Sequence, residues 1–190
     1  NNRSMNSPKK DRMLKFWSER VKKYKNKPES NTNDICLRKI EIEFVTNIIK
    51  ANKFKTVLDF GCANGYSTAM LAKQNKNCKF YGWDINFDMI EVARKSNAKE
   101  KISNLKFSQI NVLKTKKTKK FDFIYTIRTF QNIESMEEQK KIFDQLLRSL
   151  NNGGKMLYIE SYASGYKKLN EDRICLGLSP LPIHPHLTLL

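Results

Sequence analysis

No stretch of this chain stays apolar for the ~18 residues that a membrane span requires, and no charged-then-apolar leader opens it. The four cysteines, Cys36, Cys62, Cys78 and Cys175, are scattered. They form no C-x-x-C pair and no cluster with the two histidines, which argues against structural zinc, or any metal site, and against a disulfide framework. These absences set the expectation of a soluble, cytoplasmic protein without a membrane partner. Acidic residues are also scarce, 19 against 36 lysines and arginines, for a net charge of +17. At 190 residues the length suits one domain, residues 1–190, with room for a substantial core.

Such a positive excess can bind nucleic acid or an anionic substrate. Two features point instead to a solvated surface. Lysine far outnumbers arginine, the residue suited to bidentate phosphate and base contacts. The densest basic run, Lys114–Lys120, has no aromatic interleaved for base stacking.

The stretch from Lys55 to Leu71, K-T-V-L-D-F-G-C-A-N-G-Y-S-T-A-M-L, organises the rest. Thr56–Phe60 reads as a buried strand, then a small-residue turn, then a helix. That arrangement brings backbone close to a ligand. A dinucleotide fingerprint needs small residues at loop positions one, three and six, and Tyr66 occupies the sixth. The spacing Gly61, Ala63, Gly65 behind Asp59 resembles instead the D-x-G-x-G-x-G motif of class I S-adenosylmethionine-dependent methyltransferases. The difference has a physical basis: that cofactor has no pyrophosphate, but it carries a sulfonium and an α-amine, which suit an acid just before the loop. Ala63 stands where the family has its middle glycine, and fits there if its φ stays negative.

The order of elements agrees. Ser7-Pro8 is a helix start, followed by Met13, Leu14, Trp17, Val21 and Tyr24 at helical spacing. A second helix from about Asp34 carries Leu37, Ile40, Phe44, Val45, Ile48 and Ile49 on one stripe. The resemblance implies that these helices (residues 7–52) form a cap over the cofactor, with Tyr24 and Arg38 as contacts; Trp17 reads as core packing. A core over residues 55–161 follows. Asp84 ends the strand Lys79–Asp84, where an acid accepts both ribose hydroxyls, and Ile85 begins a stretch that resembles the family's second motif. Leu105–Ile110 is the third strand. Behind it Asn111 replaces the family's acid, its side-chain oxygen able to accept from the adenine amine, with the Val112 N–H as donor to the ring.

Phe121–Ile127 reads as a fourth strand, apolar almost throughout, as a sheet covered on both faces requires. Ile127 and Arg128 at its end face the transferable methyl. The loop Arg128–Asn132 lacks both the (Asp/Asn)-Pro-Pro-(Tyr/Phe) signature and the Pro-Cys nucleophile of base methylation, which disfavours nucleic acid. Met136–Leu150 reads as an amphipathic helix stopped by Asn151–Gly154, and K-M-L-Y-I-E-S-Y as the fifth strand. The fold class is therefore α/β: a Rossmann-like parallel sheet, helices on both faces, a helical cap, and no complete sixth and seventh strands. An edge left open this way invites association with a second copy. The tail, residues 162–190, resembles a bacterial subgroup associated with small-molecule or surface-polysaccharide modification. That resemblance implies that Asn170, Arg173 and His186 line the acceptor side.

What the resemblance implies is methyl transfer from S-adenosylmethionine, leaving S-adenosylhomocysteine, to an O or N atom of a small acceptor. A hydroxyl acceptor needs a base; candidates are His186, His184, Glu160 and Tyr162. Arg128 and Arg173 suit a phosphate or carboxylate on the acceptor. The rival functions are an RNA methyltransferase, favoured by net charge, and a non-catalytic cofactor-binding subunit.

Overall fold

The computed structural model describes residues 8–115 and 119–183. Five strands form one wholly parallel sheet in the order β3-β2-β1-β4-β5: β1 Thr56–Phe60, β2 Lys79–Asp84, β3 Leu105–Gln109, β4 Phe121–Ile127 and β5 Leu150–Ile159. The chain runs outward from β1 to β3, then returns to pair β4 with the other side of β1. That reversal leaves a crevice beyond the carboxyl ends of β1 and β4, where ligands bind in open α/β sheets.

Strand alternation divides the core into two layers. Val57, Phe80, Phe107, Phe123 and Tyr125 pack with α2 (Ile35–Asn52), α3 (Tyr66–Gln74) and α4 (Phe87–Glu100). Leu58, Phe60, Trp83 and Ile124 face the opposite way, toward Ile142 and Leu146 of α5 (Met136–Leu147). The α/β sandwich expected from the sequence is thus the observed architecture. α1 (Pro8–Tyr24) lies outside both layers, against α4 and the 3-10 turn Pro28–Ser30.

The helix starts are written in the sequence. Asp34, Asn86 and Ser135 each accept a backbone N–H of the first turn, from Leu37, Met89 and Glu138. Ser135 and Glu138 have the spacing of a capping box. One boundary and one buried face differ from expectation. α5 stops at Leu147, and Leu150 already belongs to β5. Phe121 pairs with Leu150 and Phe123 with Lys155, so Asn151–Gly154 bulge from the strand instead of capping a helix, with Gly153 at φ 72°. Asp122 explains the choice: it accepts from Asn151 Nδ2 at 2.6 Å and from the backbone of Lys55 and Thr56 at 2.9 Å. The second difference is on α2, where Ile42, Val45 and Ile49 are buried while Leu37, Ile40 and Phe44 stand exposed.

In the β1–α3 loop, Gly61 has φ 80° and packs so closely on Thr129 that a Cβ there would overlap the threonine side chain. Gly65, at φ 74°, is held in the same way against Phe107. Ala63 corrects an expectation: its φ is +48°, not negative. A bond from its N–H to Asp84 Oδ2 at 2.8 Å fixes this left-handed geometry, which costs a non-glycine residue about 1–2 kcal/mol. Ala63→Gly relieves that cost against about 0.4–1 kcal/mol of added chain entropy when unfolded. Chemical denaturation is expected to find the variant about 0.5–1 kcal/mol more stable; a less stable variant would mean that the methyl group packs usefully.

Candidate active site

A cavity of about 360 Å³ opens at the carboxyl ends of β1, β2 and β4, with α1 across it. Volumes of this order suit small molecules and cofactors. β1 and its loop bring Asp59, Gly61 and Ala63; β2 brings Asp84 and Ile85; the segment after β3 brings Asn111 and Val112; β4 brings Ile127 and Arg128; α2 brings Arg38. Residues expected at a cofactor site from widely separated stretches therefore share one wall.

Their chemistry is specific. Asp59 is buried and accepts from Thr68 Oγ1 at 2.6 Å. Burial pushes its carboxyl up to about 6, against the opposing hydrogen bond of Thr68 and the charge of Arg38. Asp84 accepts from the backbone of Ala63 and Asn86, both at 2.8 Å, one on each oxygen; burial raises its carboxyl as well. Each Asp84 oxygen keeps a lone pair for a further donor. Asn111 Oδ1 accepts from Leu113 N–H at 3.1 Å, which orients the amide at the cavity wall.

At the back, Glu41 lies between two cations, 3.6 Å from Arg38 and 3.0 Å from Arg128. Burial and the Arg128 charge pull the Arg38 guanidinium below its ordinary value, with Glu41 opposing. Arg38 Nε and Ser67 Oγ are buried, belong to cavity-lining residues and have no hydrogen-bond partner among the described residues. Buried polar groups are rarely left so. A zwitterionic amino acid moiety, its carboxylate near Arg38 and its amine near Asp59, matches this set. The residues present fit S-adenosylmethionine.

α1 closes the cavity with Met13, Leu14 and Trp17. Its ties to the body are polar. Trp17 Nε1 donates to Asn132 Oδ1 at 3.3 Å, Lys10 pairs with Glu138 at 3.3 Å, and Asn86 Nδ2 reaches Leu14 O and Ser18 Oγ. The connection after α1 is held by Asn64 of the β1–α3 loop, whose amide donates to Lys25 O and Lys27 O.

Other residues lie elsewhere. Tyr24 is outside the cavity wall, its ring covered by Arg20 and Lys23. Trp17, read as packing, lines the cavity instead. Gly65 shapes the turn without reaching the cavity. Glu160 is bound as a clamp: its oxygens accept from the backbone of Thr129 at 2.8 Å, Phe130 at 3.0 Å and Gln131 at 3.2 Å. A carboxylate so engaged, and absent from the cavity wall, is poorly placed to serve as a base. Arg173 donates to Ser179 O, and Asn170 brackets Leu181; both tie the tail to α6 (Ala163–Cys175) and neither reaches the cavity. Tyr162, the N-cap of α6, is exposed. His184 and His186 lie outside the described residues.

Sequence reading missed Glu41, Asn64, Ser67 and Thr68. Asn64, Ser67 and Thr68 sit within or just behind the glycine loop, so the motif itself was the available signal. Glu41 had one too, three residues after Arg38 on the same helix.

The fold and wall together define a nucleoside-cofactor transferase, and comparison with known proteins gives the family. A family model described as a methyltransferase domain matches residues 51–175. The chain belongs to this family, among the class I S-adenosylmethionine-dependent methyltransferases. It is 31% identical over 118 residues to malonyl-[acyl-carrier protein] O-methyltransferase 2 of Ilyobacter polytropus, covering 60% of this chain and 42% of that protein. The chain thus spans less than half the length of this curated relative. Among solved structures it resembles PKMT2 from Rickettsia typhi in complex with AdoHcy, with 26% identity and a TM-score of 0.55 over 65% of this chain and 24% of that one. The DhpI–SAH complex matches in fold, with a TM-score of 0.63 at 13% identity over 83% and 72% of the two chains.

Asp59 holds its proton up to about pH 6 in the free protein, whereas a cationic ligand amine favours the ionised carboxylate. Ligand affinity is therefore full above that pH and falls about tenfold per unit below it, with one proton released on binding. Calorimetry with S-adenosylhomocysteine between pH 5 and 7 reads this, and Asp59→Asn is expected to weaken binding and flatten the profile. For Glu160, replacement by alanine strands the three amides and is expected to cost about 3 kcal/mol of stability in urea. Unchanged stability with lost turnover would restore its assignment as a base.

Proposed function

We propose that this domain binds S-adenosylmethionine beneath α1 and directs its methyl group to an O or N atom of a small acceptor. The observation that carries this reading is the single cavity wall shared by Arg38, Asp59, Asp84 and Asn111. When bound, the cofactor supplies a methyl group on a sulfonium, already activated for in-line displacement. The chain's own part is then binding and orientation, which can supply much of the rate. Asp59 takes the amine, Arg38 the carboxylate, Asp84 the ribose hydroxyls, and Asn111 with the Val112 N–H the adenine edge. Ile127, Met13 and Trp17 exclude water from the cavity. Gln131, Asn132 and Ile133, after β4, also line the cavity, which supports assigning that side to the acceptor.

For the acceptor, the resemblance of the tail segment G-L-S-P-L-P supports a sugar-derived or phosphorylated compound of surface-polysaccharide synthesis. Asn170 and Arg173, engaged within that tail, have no part in holding it here. A second reading, methylation of an acyl carboxylate, is favoured by the activity named for the curated relative. An O-directed reaction needs a base, and no described side chain is assigned that task.

Thermal unfolding with S-adenosylhomocysteine, with NAD as control, tests the cofactor. At a hundredfold excess over Kd, specific binding is expected to stabilise the protein by about 2.7 kcal/mol. A response to NAD alone, or to neither compound, overturns the reading. Given a response, isotope transfer from labelled cofactor to sugar phosphates or to carboxylic acids distinguishes the two acceptor classes.

A further inference from the structure

Outside the short run Lys114–Lys120, the positive charge of the chain is unevenly spread. Between Lys9 and Lys27 there are nine lysines and arginines against two acids, Asp11 and Glu19. Helices α2 to α6 together carry twelve cations against ten acids. The concentration falls on the one helix that closes the cavity.

Helical periodicity sorts the residues of α1 into two faces. Met13, Leu14 and Trp17 line the cavity and Val21 is buried. At 100° per residue, Arg12, Lys15, Lys22 and Lys23 fall within one arc on the opposite side, and all four are exposed. Glu19 shares that arc and, among the described residues, pairs with Lys15 at 3.9 Å between exposed groups, a contact worth little. Exposed Lys25 and Lys27 continue the array beyond the helix. Arg20 is not part of it, since its guanidinium is engaged by Glu29 O, Ser30 O and Asn33.

We infer that the outer face of α1 is a docking surface for an acidic protein, held on the far side of the helix from the cavity that the helix covers. The chemistry favours an acidic protein over a nucleic acid. Three of the four outward cations are lysines, which act as point charges without the bidentate fork that reads phosphates and bases. Stacking platforms are also missing from this face: Phe16, Trp17 and Tyr24 are all partly covered, Trp17 by its bond to Asn132 and Tyr24 by Arg20 and Lys23. A row of lysines on a rigid helix suits electrostatic steering of an acidic surface, which governs encounter and partner choice.

The inference does not depend on the identity of the acceptor, and its test separates it from the cofactor reading. The intact chain and the variant Lys15→Glu/Lys22→Glu/Lys23→Glu are titrated into a labelled oligoglutamate peptide and a labelled single-stranded RNA of equal charge. None of the three side chains lines the cavity. The expected result is peptide binding that salt weakens, about tenfold or more weaker in the variant, with RNA bound no more tightly than the peptide. Thermal stabilisation by S-adenosylhomocysteine should be the same in both proteins. Should the charge-reversed protein fold poorly, Lys15→Gln/Lys22→Gln/Lys23→Gln replaces it, with a smaller loss in the same direction. Equal peptide affinity in variant and parent overturns the inference, as does failure of the parent to bind the peptide. Preferential RNA binding that the variant loses overturns it in favour of a nucleic-acid surface. Loss of the S-adenosylhomocysteine response in the parent itself overturns the cofactor reading and leaves the peptide result standing.

Discussion

Carboxylates at the carboxyl ends of strands hold this architecture together. A parallel sheet delivers several strand ends, each followed by a loop with unpaired N–H groups, to one rim. Asp84, ending β2, holds the loop of its neighbour β1 through the Ala63 amide. Glu160, just past β5, holds the loop of β4 through Thr129, Phe130 and Gln131. In both cases the acid belongs to one strand and the loop to the next. The rim is thereby stitched sideways, and the crevice between β1 and β4 keeps its shape although its walls come from loops.

The same arrangement accounts for the buried charge around Arg38, Glu41 and Arg128. Two cations share one acid, and Asp59 lies beyond Arg38 as a further anion. Removing one member of such a set strands the others in low dielectric, at a cost of about 3–5 kcal/mol. α2 therefore contributes more than apolar burial: one face packs on the sheet while its Arg38 and Glu41 reach the rim. Arg128 sits at φ 55°, a second non-glycine residue in left-handed geometry beside the cavity. Strain of this kind tends to collect at functional sites.

The sheet was legible because its strands are short apolar runs bounded by polar turns, and β1, β2 and β4 lie where patterning puts them. The glycine loop and Asp84 were legible because their spacing reflects a chemical requirement. What failed was decided by tertiary contacts that leave no periodic trace. Asn151–Gly154 has the composition of a helix stop, yet Asp122 draws it into a bulged strand. Tyr24 has the spacing of a cap residue, but its ring is taken by neighbouring cations. Glu160 has the position of a base, and only the loop opposite reveals what its oxygens hold. Asn170 and Arg173, expected on the acceptor side, bind their own chain at Leu181 and Ser179.

α1 owes its place to a handful of polar ties and to a single fully buried side chain, Val21. The central strands β1 and β4 are buried on both faces. Two regions of one domain thus differ in the burial that holds them, with α1 at the low end of local stability and the central strands at the high end. The cavity already opens to solvent beside this helix, so loosening of α1 widens it without unfolding of the domain. Solvent exchange at the amides of α1 should be correspondingly faster than at those of β1 and β4.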